Sequence, residues 1–458
     1  MDRRTFIGSV AGALVAGSAT TNASAQKSGT RPNVIYAFSD EHRWHSQSFT
    51  ELPEVKTPNM AKLAQQGLEF THCISNYPVC SPYRAILQTG RWPFHTGIID
   101  NNLPLSQDEW TIGKAFKQAG YRTALIGKWH MVGQHVEPFG YDHSLIWEGT
   151  NIHWDKSKFY PANGEPQQPK GYNATLMTDQ ALDFIRASKD NPFFLMLSWN
   201  PPHSNFLDPP KEKLALYPEE NSLSKRPNYQ ASVAKKGEKE PALGKNDWNV
   251  YQGYHAHISA IDDELGRLMA ELDKLNLTED TILIYTSDHG SMMGSHGLGG
   301  KRQPFEESIR VPFTIRWPGK IAAGKHNDAL FGTVDTVPTL CALAGVPSNP
   351  EGVGQDFSPH CFGKPGPNPD VQFIMHIAKE NASGGQEHPA PLFRGVRTKT
   401  HTLAILQKGG GYLYDNTTDP YQQHNLFDAP ESEKLKGELI GKIKEWQKQA
   451  GENVWTIA

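Results

Sequence analysis

Short apolar runs alternate with amphipathic stretches over most of the chain. The apolar runs are rich in β-branched and aromatic residues, which favours buried strands. They are NVIYAF at 33–38, RTALI at 122–126, PFFLMLSW at 192–199 and TILIYT at 281–286. The stretches between them have helical spacing. They are TPNMAKLAQQG at 57–67, residues 111–119, TDQALDFIRAS at 178–188 and about 250–275. This alternation predicts an α/β fold, with a mostly parallel central sheet and helices on both faces.

The pattern changes from about residue 365 onward. FRGVRTKTHTLAIL at 393–406 and GGYLYDNTTDPYQQHNL at 410–426 are typical of antiparallel strands joined by turns. SEKLKGELIGKIKEWQKQ at 432–449 has the pattern of an amphipathic helix. We therefore expect a main domain over 26–364, followed by a small C-terminal α+β subdomain with an antiparallel sheet over 365–458.

The first residues have the composition of an export signal. MDRRTFIGSVAGALVAGSATTNASAQ contains Arg3-Arg4, a weakly apolar stretch and then Ala23-Ser24-Ala25. This predicts a twin-arginine-type signal peptide over 1–25 and a periplasmic or secreted protein. A membrane anchor is the alternative, but the apolar stretch is too short and too rich in Gly, Ser and Ala. We expect no membrane anchor after the signal is cleaved.

The overall composition narrows the choice of partners. The 458 residues carry a formal net charge of −4, and 37% of them are hydrophobic. This composition is that of a globular protein rather than of a disordered or membrane protein. We expect no nucleic-acid partner, because such a partner would need a basic surface.

Ionisable residues follow each of the four apolar runs. They are Asp40, Lys128, His203 and Asp288. In open α/β sheets, ligands bind at the carboxyl ends of the strands, so these four side chains are expected to converge on one site. Taken singly, each of them would be an ordinary solvated strand end.

Two of these strand ends carry adjacent residues of metal-ligand type, Asp40-Glu41 and Asp288-His289. Clustered carboxylates repel one another unless a cation neutralises them. Oxygen ligands suit Ca²⁺ or Mg²⁺, and the histidine leaves room for Mn²⁺ or Zn²⁺. These four residues are the candidate metal ligands. The alternative is that two unrelated strand ends cap nearby helices.

Strong hydrogen-bond donors lie in or beside the same segments. They are Arg84, Lys128, His130, His203 and Lys301. Together such donors bind a tetrahedral oxyanion and stabilise the negative charge that grows on it during transfer. Beside a metal they indicate a sulfate or phosphate site, although each lysine alone would be an ordinary surface residue.

Cys80 has an unusual context, NYPVCSPYRAILQTGRWP at 76–93. Structural cysteines usually lie among aliphatic residues, as Cys341 does in TLCALAG. No zinc pattern fits the spacing of the four cysteines, Cys73, Cys80, Cys341 and Cys361. Two alternatives remain open: a disulfide with Cys73, and a thiolate nucleophile with His130 as its base.

Six segments occur in a distinctive order along the chain. They are RPNVIYAFSDE, CSPYRAILQTGR, GYRTALIGKWH, PFFLMLSWNPPH, TSDHGSMMGSHGLGGKRQPFEESIRVPFTIRWPG and GYLYDNTTDPYQQHNL. The C-x-P-x-R element of the second segment is weakly specific alone, but the ordered set is very specific. On these segments the chain resembles the sulfatase family, the formylglycine-dependent type I sulfatases of the alkaline-phosphatase-like superfamily. The resemblance implies the fold of that superfamily and a sulfuric ester hydrolase.

The resemblance implies a role for Cys80. In this family the signature cysteine is oxidised to Cα-formylglycine, which implies a formylglycine-generating enzyme as a partner and Pro82 and Arg84 as recognition residues. One hydroxyl of the hydrated aldehyde is then the nucleophile on sulfur. A second hydroxyl, which serine lacks, allows the release of sulfate and the return of the aldehyde.

The remaining catalytic roles come from the same resemblance. It implies that Lys128 and Lys301 balance the charge of the sulfate, and that Arg84 supports the diol. His203 is the candidate acid for the leaving alcohol, and His130 would help to deprotonate the second hydroxyl.

The metal site implied by the resemblance consists of Asp40, Glu41, Asp288 and His289, with Ca²⁺ as the expected ion and Mg²⁺ or Mn²⁺ as alternatives. Many relatives have Asp at the position of Glu41, and Glu is one methylene longer. Two further departures from the family pattern, Tyr83 where Ser is commoner and Ser291 where an acid is frequent, have no expected consequence.

A sulfated carbohydrate is the expected substrate, because an exported enzyme meets polymers and their fragments. Aromatic and polar residues that suit sugar rings follow the metal pair and the cysteine signature. These substrate candidates are Trp44, His45, Trp92, His95, Asn101 and Asn102. The insertion IWEGTNIHWDKSKFY at 146–160 adds Trp147, His153 and Trp154. Burial in the core is the ordinary alternative for each tryptophan.

Other functions remain compatible with the same residues. A phosphate or phosphonate monoester hydrolase of the same superfamily could share the metal and the formylglycine. A small alkyl or aryl sulfatase is a further alternative. An exported carbohydrate-binding protein with an unmodified cysteine is disfavoured, because every catalytic position is filled.

Overall fold

A computed structural model describes residues 31–148, 151–162, 164–230, 247–378, 390–455 and 457. The predicted signal peptide lies outside these residues. Within them, no helix combines the length and the apolar character needed to cross a membrane.

The strands are β1 (Asn33–Asp40), β2 (Leu68–Phe70), β3 (Cys73–Ile74), β4 (Arg122–Lys128), β5 (His143–Glu148), β6 (Lys158–Pro161), β7 (Phe193–Pro202), β8 (Thr281–Ser287), β9 (Arg310–Val311), β10 (Phe313–Arg316), β11 (Lys325–Asn327), β12 (Phe331–Gly332), β13 (Gln372–His376), β14 (Phe393–Arg397), β15 (His401–Leu406) and β16 (Gly411–Asp415). The four predicted strands of the main domain correspond to β1, β4, β7 and β8. Each extends one to three residues beyond the end of its apolar run.

The helices are α1 (Pro58–Gln66), α2 (Cys80–Thr89), α3 (Pro93–Thr96), α4 (Ile112–Gln118), α5 (Asn173–Ser188), α6 (Lys211–Leu214), α7 (Asp247–Lys274), α8 (Glu306–Ile309), α9 (Thr333–Ala344), α10 (Ser358–Cys361) and α11 (Glu433–Ala450). Short 3₁₀ turns lie at Glu137–Phe139, Glu220–Ser222 and Pro430–Ser432.

The central sheet has nine strands in the order β11-β2-β10-β8-β1-β7-β4-β5-β6. The five strands β8, β1, β7, β4 and β5 are parallel to one another. β10 and β6 flank them in the antiparallel sense. The prediction of a mixed, mostly parallel sheet is therefore confirmed. It places the carboxyl ends of β8, β1, β7 and β4 side by side.

Every residue of β1 is buried, as expected of a parallel strand that is covered on both faces. Its side chains alternate between two cores. Val34, Tyr36 and Phe38 contribute to the core that contains residues of α2, α4 and α9. Ile35 and Ala37 contribute to the core that contains residues of α1, α5 and α7. The sheet is thus rigidly held where it carries the candidate site.

The C-terminal residues form a separate four-stranded antiparallel sheet in the order β13-β14-β15-β16. Helix α11 covers it, and Leu439 and Ile443 of this helix pack with Val396, Leu403 and Leu413 of the strands. The predicted small antiparallel subdomain is confirmed in this respect. Its predicted boundary between residues 364 and 365 stays a prediction.

Candidate active site

The parallel strands bring the predicted metal ligands together. Asp40 ends β1, and Asp288 and His289 directly follow β8, its neighbour in the sheet. None of these three side chains has any exposed surface. Nε2 of His289 lies 3.8 Å from Oδ1 of Asp40 and 3.5 Å from Oδ1 of Asp288. The three residues therefore present oxygen and nitrogen atoms to one small volume, as a possible metal site requires.

Hydrogen bonds orient these ligand atoms. Oδ1 of Asp288 accepts from the backbone N–H groups of Glu41, at 3.0 Å, and His289, at 2.9 Å. Nδ1 of His289 donates to the carbonyl oxygen of Gly290 at 2.9 Å, which directs Nε2 into the cluster. Such bonds fix the tautomer and the ring orientation of a ligating histidine.

The electrostatics of the cluster favour a bound cation. Burial and the neighbouring Asp40 raise the pKa of Asp288 to about 6. Burial opposes the charged form of His289, but Asp288 and Cys80 together outweigh it and raise the pKa of His289 to about 9. Both shifts indicate an excess of negative charge in a buried place. The residues present thus fit a divalent metal ion.

Glu41 faces a different side of the cluster. Its backbone is left-handed, with a φ of 77°, and its Oε2 lies 3.2 Å from Nζ of Lys301 and 3.7 Å from Nε2 of His203. Glu41 forms a second group of potential ligands with Asp40 and His203. Its role as a ligand of the same ion stays a prediction.

Cys80 lies within this cluster. It is the first residue of α2 and has no exposed surface. Its Sγ lies 3.2 Å from Nε2 of His289, 3.5 Å from Oδ1 of Asp40 and 3.4 Å from Nζ of Lys301. Burial opposes ionisation, but Lys128 and Lys301 lower the pKa of the thiol well below its usual range. The two ammonium groups therefore favour negative charge on the atom at this position.

Arg84 links two carboxylates of the cluster to strands β4 and β7. Nη2 donates to Oδ2 of Asp40 and to Oδ2 of Asp288, at 3.2 Å each. Nη1 donates at 2.6 Å to both the carbonyl oxygen of Lys128 and Oγ of Ser198. This buried arginine therefore fixes the relative positions of three strand ends. Ser198, which holds it, was not among the predicted site residues.

Two lysine ammonium groups lie close to Cys80. Nζ of Lys128 donates to Oδ2 of Asp40 at 2.6 Å and lies 4.0 Å from Sγ of Cys80. Burial and the Cys80 thiol raise the pKa of Asp40, but Lys128, His203 and Lys301 together outweigh them and hold it below its usual range. Two ammonium groups within reach of one buried atom can bind an anionic group that is placed there.

The two predicted catalytic histidines border the same pocket. Burial and Lys128 lower the pKa of His130 to about 4, partly offset by Cys80, which makes it neutral at pH 7. Nδ1 of His203 donates to the carbonyl oxygen of Ser204 at 3.0 Å. The structure thus brings both histidines to the cluster, on separate loops after β4 and β7.

The predicted substrate residues occupy varied environments. His45 and Trp92 are buried, and Trp92 packs with Trp446 at a ring distance of 5.2 Å. Nε2 of His95 donates to the carbonyl oxygen of Ala450, and Oδ1 of Asn101 accepts from the N–H group of Ser81. Trp44 is half-buried and Asn102 is exposed. A role in sugar binding stays a prediction for each candidate.

The four cysteines are free thiols, so the Cys73–Cys80 disulfide is wrong as an explanation of Cys80. Cys73 lies in β3 and is buried, and burial raises the pKa of its thiol well above the usual range. The thiols of Cys73 and Cys80 therefore differ in the sign of their pKa shift, because no lysine contributes at Cys73.

Comparison with protein families agrees with this geometry. The Sulfatase family matches residues 32–346, and the family described as N-sulphoglucosamine sulphohydrolase, C-terminal, matches residues 294–449. The chain is similar to an ulvan-active sulfatase of Formosa agariphila, with 33% identity over 92% of this chain and 82% of that protein. It is similar to the N-acetylglucosamine-6-O-sulfatase of Bacteroides thetaiotaomicron, with 29% identity over 96% of this chain and 90% of that protein.

Solved structures give the same result. One is a protein in complex with its substrate, D-glucosamine-2-N,6-O-disulfate. That protein matches with a TM-score of 0.81 and 27% identity, over 93% of this chain and 99% of that chain. A phosphonate monoester hydrolase of Agrobacterium radiobacter shares the fold, with a TM-score of 0.78, 21% identity and coverage of 92% of this chain and 96% of that chain. The chain belongs to the sulfatase family of the alkaline-phosphatase-like superfamily and is a sulfuric ester hydrolase.

Proposed function

We propose that this enzyme removes sulfate from a sulfated carbohydrate, using a Cα-formylglycine derived from Cys80 and a divalent cation. The observation that carries the proposal is the position of Sγ of Cys80, within 3.5 Å of atoms of Asp40, His289 and Lys301. A nucleophile between buried ligands and ammonium groups suits the transfer of an anionic group.

The relatives support the class of substrate. One similar protein is named for activity on ulvan and another for the 6-O-sulfate of N-acetylglucosamine. A similar solved structure holds a disulfated glucosamine as its substrate. We extend to this chain what these proteins share, a sulfate ester on a sugar.

The buried acids define the cation site of the proposal. Asp40, Asp288 and His289 would hold the ion, with Glu41 as a fourth ligand, and their oxygen-rich set favours Ca²⁺. A bound divalent cation lowers the pKa of a nucleophilic oxygen and orients the sulfate. Arg84 holds two of these carboxylates in place by donating to Oδ2 of each.

In the proposed enzyme, Sγ of Cys80 stands where a hydroxyl of hydrated formylglycine would lie. That group would supply one oxygen to attack sulfur and a second whose deprotonation returns the aldehyde and releases sulfate. Lys128 and Lys301 would bind the sulfate oxygens, because their Nζ atoms lie 4.0 Å and 3.4 Å from Sγ. They would also stabilise the charge of the transition state.

The two histidines would move protons at different places. His203 would protonate the sugar oxygen that leaves sulfur, and its Nε2 lies 3.7 Å from Oε2 of Glu41. His130 is neutral at pH 7 because burial lowers its pKa to about 4, so it can accept a proton near residue 80. These roles divide acid and base between the loops after β7 and β4.

We further propose that the protein is exported through its twin-arginine-type N-terminus and that a formylglycine-generating enzyme acts on it earlier. The pattern Arg3-Arg4 followed by Ala23-Ser24-Ala25 supports export, and C-x-P-x-R supports the modification. Replacing Arg3 and Arg4 with lysine should retain the protein in the cytoplasm, as measured by cell fractionation. Unchanged export of that variant would contradict the twin-arginine route.

The central experiment combines two measurements on pure protein. Sulfate release from a panel of sulfated mono- and oligosaccharides is compared with release from an aryl sulfate and turnover of a phosphonate ester. The mass of the peptide that contains Cys80 reports the aldehyde. We expect the highest kcat/KM on a sulfated saccharide, an aldehyde at residue 80 and no turnover by Cys80→Ala. Cys361→Ala, which alters another buried free thiol, is the matched control and should retain activity.

Two outcomes would contradict the proposal. Full activity of a preparation with an unmodified Cys80 would remove the formylglycine from the mechanism. Turnover of the phosphonate ester, with no sulfate release from any saccharide, would assign the site to another member of the superfamily.

A further inference from the structure

The structure separates the tryptophans near the site by their exposure. Trp92 and Trp147 are buried in the hydrophobic cores. Trp44 is covered on one face by the guanidinium of Arg310, whose Cζ lies 3.6 Å from the ring centroid. Trp154, in contrast, has 36% of its surface exposed. It is therefore the member of this set whose ring is open to a ligand.

The orientation of Trp154 is fixed by its neighbours. Its Nε1 donates to the carbonyl oxygen of Asp208 at 2.7 Å, and its ring packs against Tyr172 with the centroids 5.4 Å apart. The polar atom of the indole is thus already satisfied. The exposed part of the side chain is apolar ring surface that is held in one direction.

Asp208 is itself held by a buried network. Its carboxylate accepts from the N–H group of His153 at 3.1 Å and from Nδ1 of the same residue at 2.6 Å. The hydroxyl of Tyr172 donates to Nδ1 of His257 at 2.7 Å, and Nε2 of His257 donates to the carbonyl oxygen of Asn205 at 3.1 Å. Both histidines are completely buried. This network anchors the segment that carries Trp154 to the one that contains Asp208.

The segment that contains Asp208 begins at His203, the proposed acid. Residues 203–208 start with His203, whose Nε2 lies 3.7 Å from Oε2 of Glu41 in the catalytic cluster. The backbone N–H group of Asn205 donates to the carbonyl oxygen of Asn151 at 2.9 Å, so the segment of His203 lies against the segment that carries Trp154. Leu207, on the same segment, is 59% exposed.

We propose that Trp154 is a stacking platform for the sugar ring whose oxygen leaves the sulfur atom. This inference rests on the proposed function. The departing oxygen must face His203, and Trp154 is attached through Asp208 to the segment of His203. Aromatic faces match the apolar faces of pyranose rings. A side chain that is already immobilised loses little conformational freedom when the sugar binds.

Steady-state kinetics on a sulfated saccharide tests the platform. Trp154→Ala should raise KM about 10-fold, as expected for the loss of an aromatic contact and its buried area, and should change kcat less. Trp154→Phe keeps a ring but loses the N–H group that donates to Asp208, so its KM should lie between those of Trp154→Ala and the wild type. Phe362→Ala removes another exposed aromatic side chain, 40% exposed, and should leave KM unchanged.

Product inhibition separates a sugar contact from a distorted site. Inorganic sulfate occupies only the anion pocket, so its inhibition constant should be the same in Trp154→Ala and the wild type. An unchanged KM for every sulfated saccharide would overturn the platform. An equal weakening of inorganic sulfate would also overturn it, because the substitution would then act on the anion pocket.

A binding measurement separates this proposal from the proposed function. D-glucosamine-2-N,6-O-disulfate is titrated calorimetrically into Cys80→Ala and into the double variant with Trp154→Ala, neither of which turns over. Weaker binding by the double variant supports the platform even if the mechanism at residue 80 proves wrong. Equal binding by both contradicts the platform even if the enzyme releases sulfate.

Discussion

His203 has one ring nitrogen engaged and one directed towards the catalytic cluster. Nδ1 donates to the carbonyl oxygen of Ser204, whereas Nε2 faces the carboxylate of Glu41. A histidine with one nitrogen bound to a carbonyl group keeps its ring orientation while the other nitrogen gains and loses a proton. This arrangement suits a proton donor to a leaving oxygen.

Replacing His203 with alanine should therefore lower kcat by about 10²-fold or more on a sulfated saccharide. The loss should be much smaller on an activated aryl sulfate, because its leaving oxygen needs less protonation. Turnover of both substrates by the same preparation measures the difference. His135→Ala, at a histidine that is 79% exposed, is the control and should have no effect on either substrate. Equal losses on both substrates would assign His203 to binding.

The strand ends explain which site residues could be predicted from the sequence. Asp40, Lys128 and Asp288 follow apolar runs, so the rule for parallel sheets is sufficient to bring them together. Ser198 lies inside the buried run of β7 and has no distinguishing neighbour; its contact with Arg84 depends on the pleat of the strand. The direction of the Glu41 carboxylate depends on a left-handed backbone that its sequence does not signal.

The segment after β7 packs directly onto helix α7. A Cβ added to Gly253 of this helix would lie 1.7 Å from the carbonyl oxygen of Phe206. Glycine in the interior of a helix costs about 0.5–1 kcal/mol relative to alanine. Its presence here allows the loop that starts at His203 to approach the helix, and His257, one turn further along, binds that loop through Asn205.

Gly253→Ala should displace this loop. Overpacking against backbone costs about 1–3 kcal/mol, so we expect a lower free energy of unfolding and a lower kcat, because His203 moves with the loop. Gly437→Ala in α11 is the matched control, because a Cβ at that glycine would meet nothing within 4 Å. It should be neutral or slightly stabilising. Chemical denaturation and kinetics check both variants, and unchanged activity of Gly253→Ala would show that the loop has other support.

At the level of elements, long periodic segments were predictable and short ones were not. Helix α7 has enough apolar positions to define its buried face, and it was predicted within three residues of its observed bounds, Asp247–Lys274. Helix α2 was not predicted, because Pro82 lies in its first turn and its N-cap, Val79, makes no side-chain cap. Strands β9 and β12 have two residues each, which is too few for a period.

A buried ion pair joins the C-terminal sheet to helix α8. Nε of Arg397, at the end of β14, donates to Oε1 of Glu306 at 2.7 Å, and Nη2 donates to Oε2 at 3.1 Å. Burial opposes the charge of Glu306, but Arg397 outweighs it and lowers the pKa of Glu306 to about 2. The stabilisation of the fold by this ion pair is therefore fully present above pH 4.5, the usual pKa of a glutamate side chain. It is lost as the pH falls towards 2.

Arg397→Met should leave the carboxylate of Glu306 buried without its closest cation, and Arg310 would remain 3.8 Å away. Removing one partner of a buried pair costs about 3–5 kcal/mol at neutral pH. The difference in the free energy of unfolding between this variant and the wild type should become smaller below pH 4.5, because a protonated Glu306 needs no cation. Denaturation at several pH values measures it. Lys442→Met, which breaks an exposed pair with Asp370, is the control and should cost less than about 1 kcal/mol.

The proposed cation would contribute to the stability of the whole molecule, because its ligands come from two central strands. A ligand at 100 times its dissociation constant stabilises the native state by about 2.7 kcal/mol. Chelation should therefore lower the Tm of the wild type in a scanning calorimeter. The same treatment should change the Tm of Asp288→Asn much less. An equal decrease in both proteins would place the cation elsewhere.

Cys80 has none of its surface exposed, since β1, α2 and the residues after β8 close around it. On the proposed chemistry, a modifying enzyme must bind the peptide in an extended form, so oxidation and folding compete as two rates during synthesis. Each molecule is then either oxidised before it folds or keeps its cysteine, and this outcome cannot be corrected afterwards. Variants that fold slowly should be converted more completely than variants that fold fast. Two preparations of identical sequence and fold can thus differ in specific activity, because different fractions of their molecules were oxidised before folding.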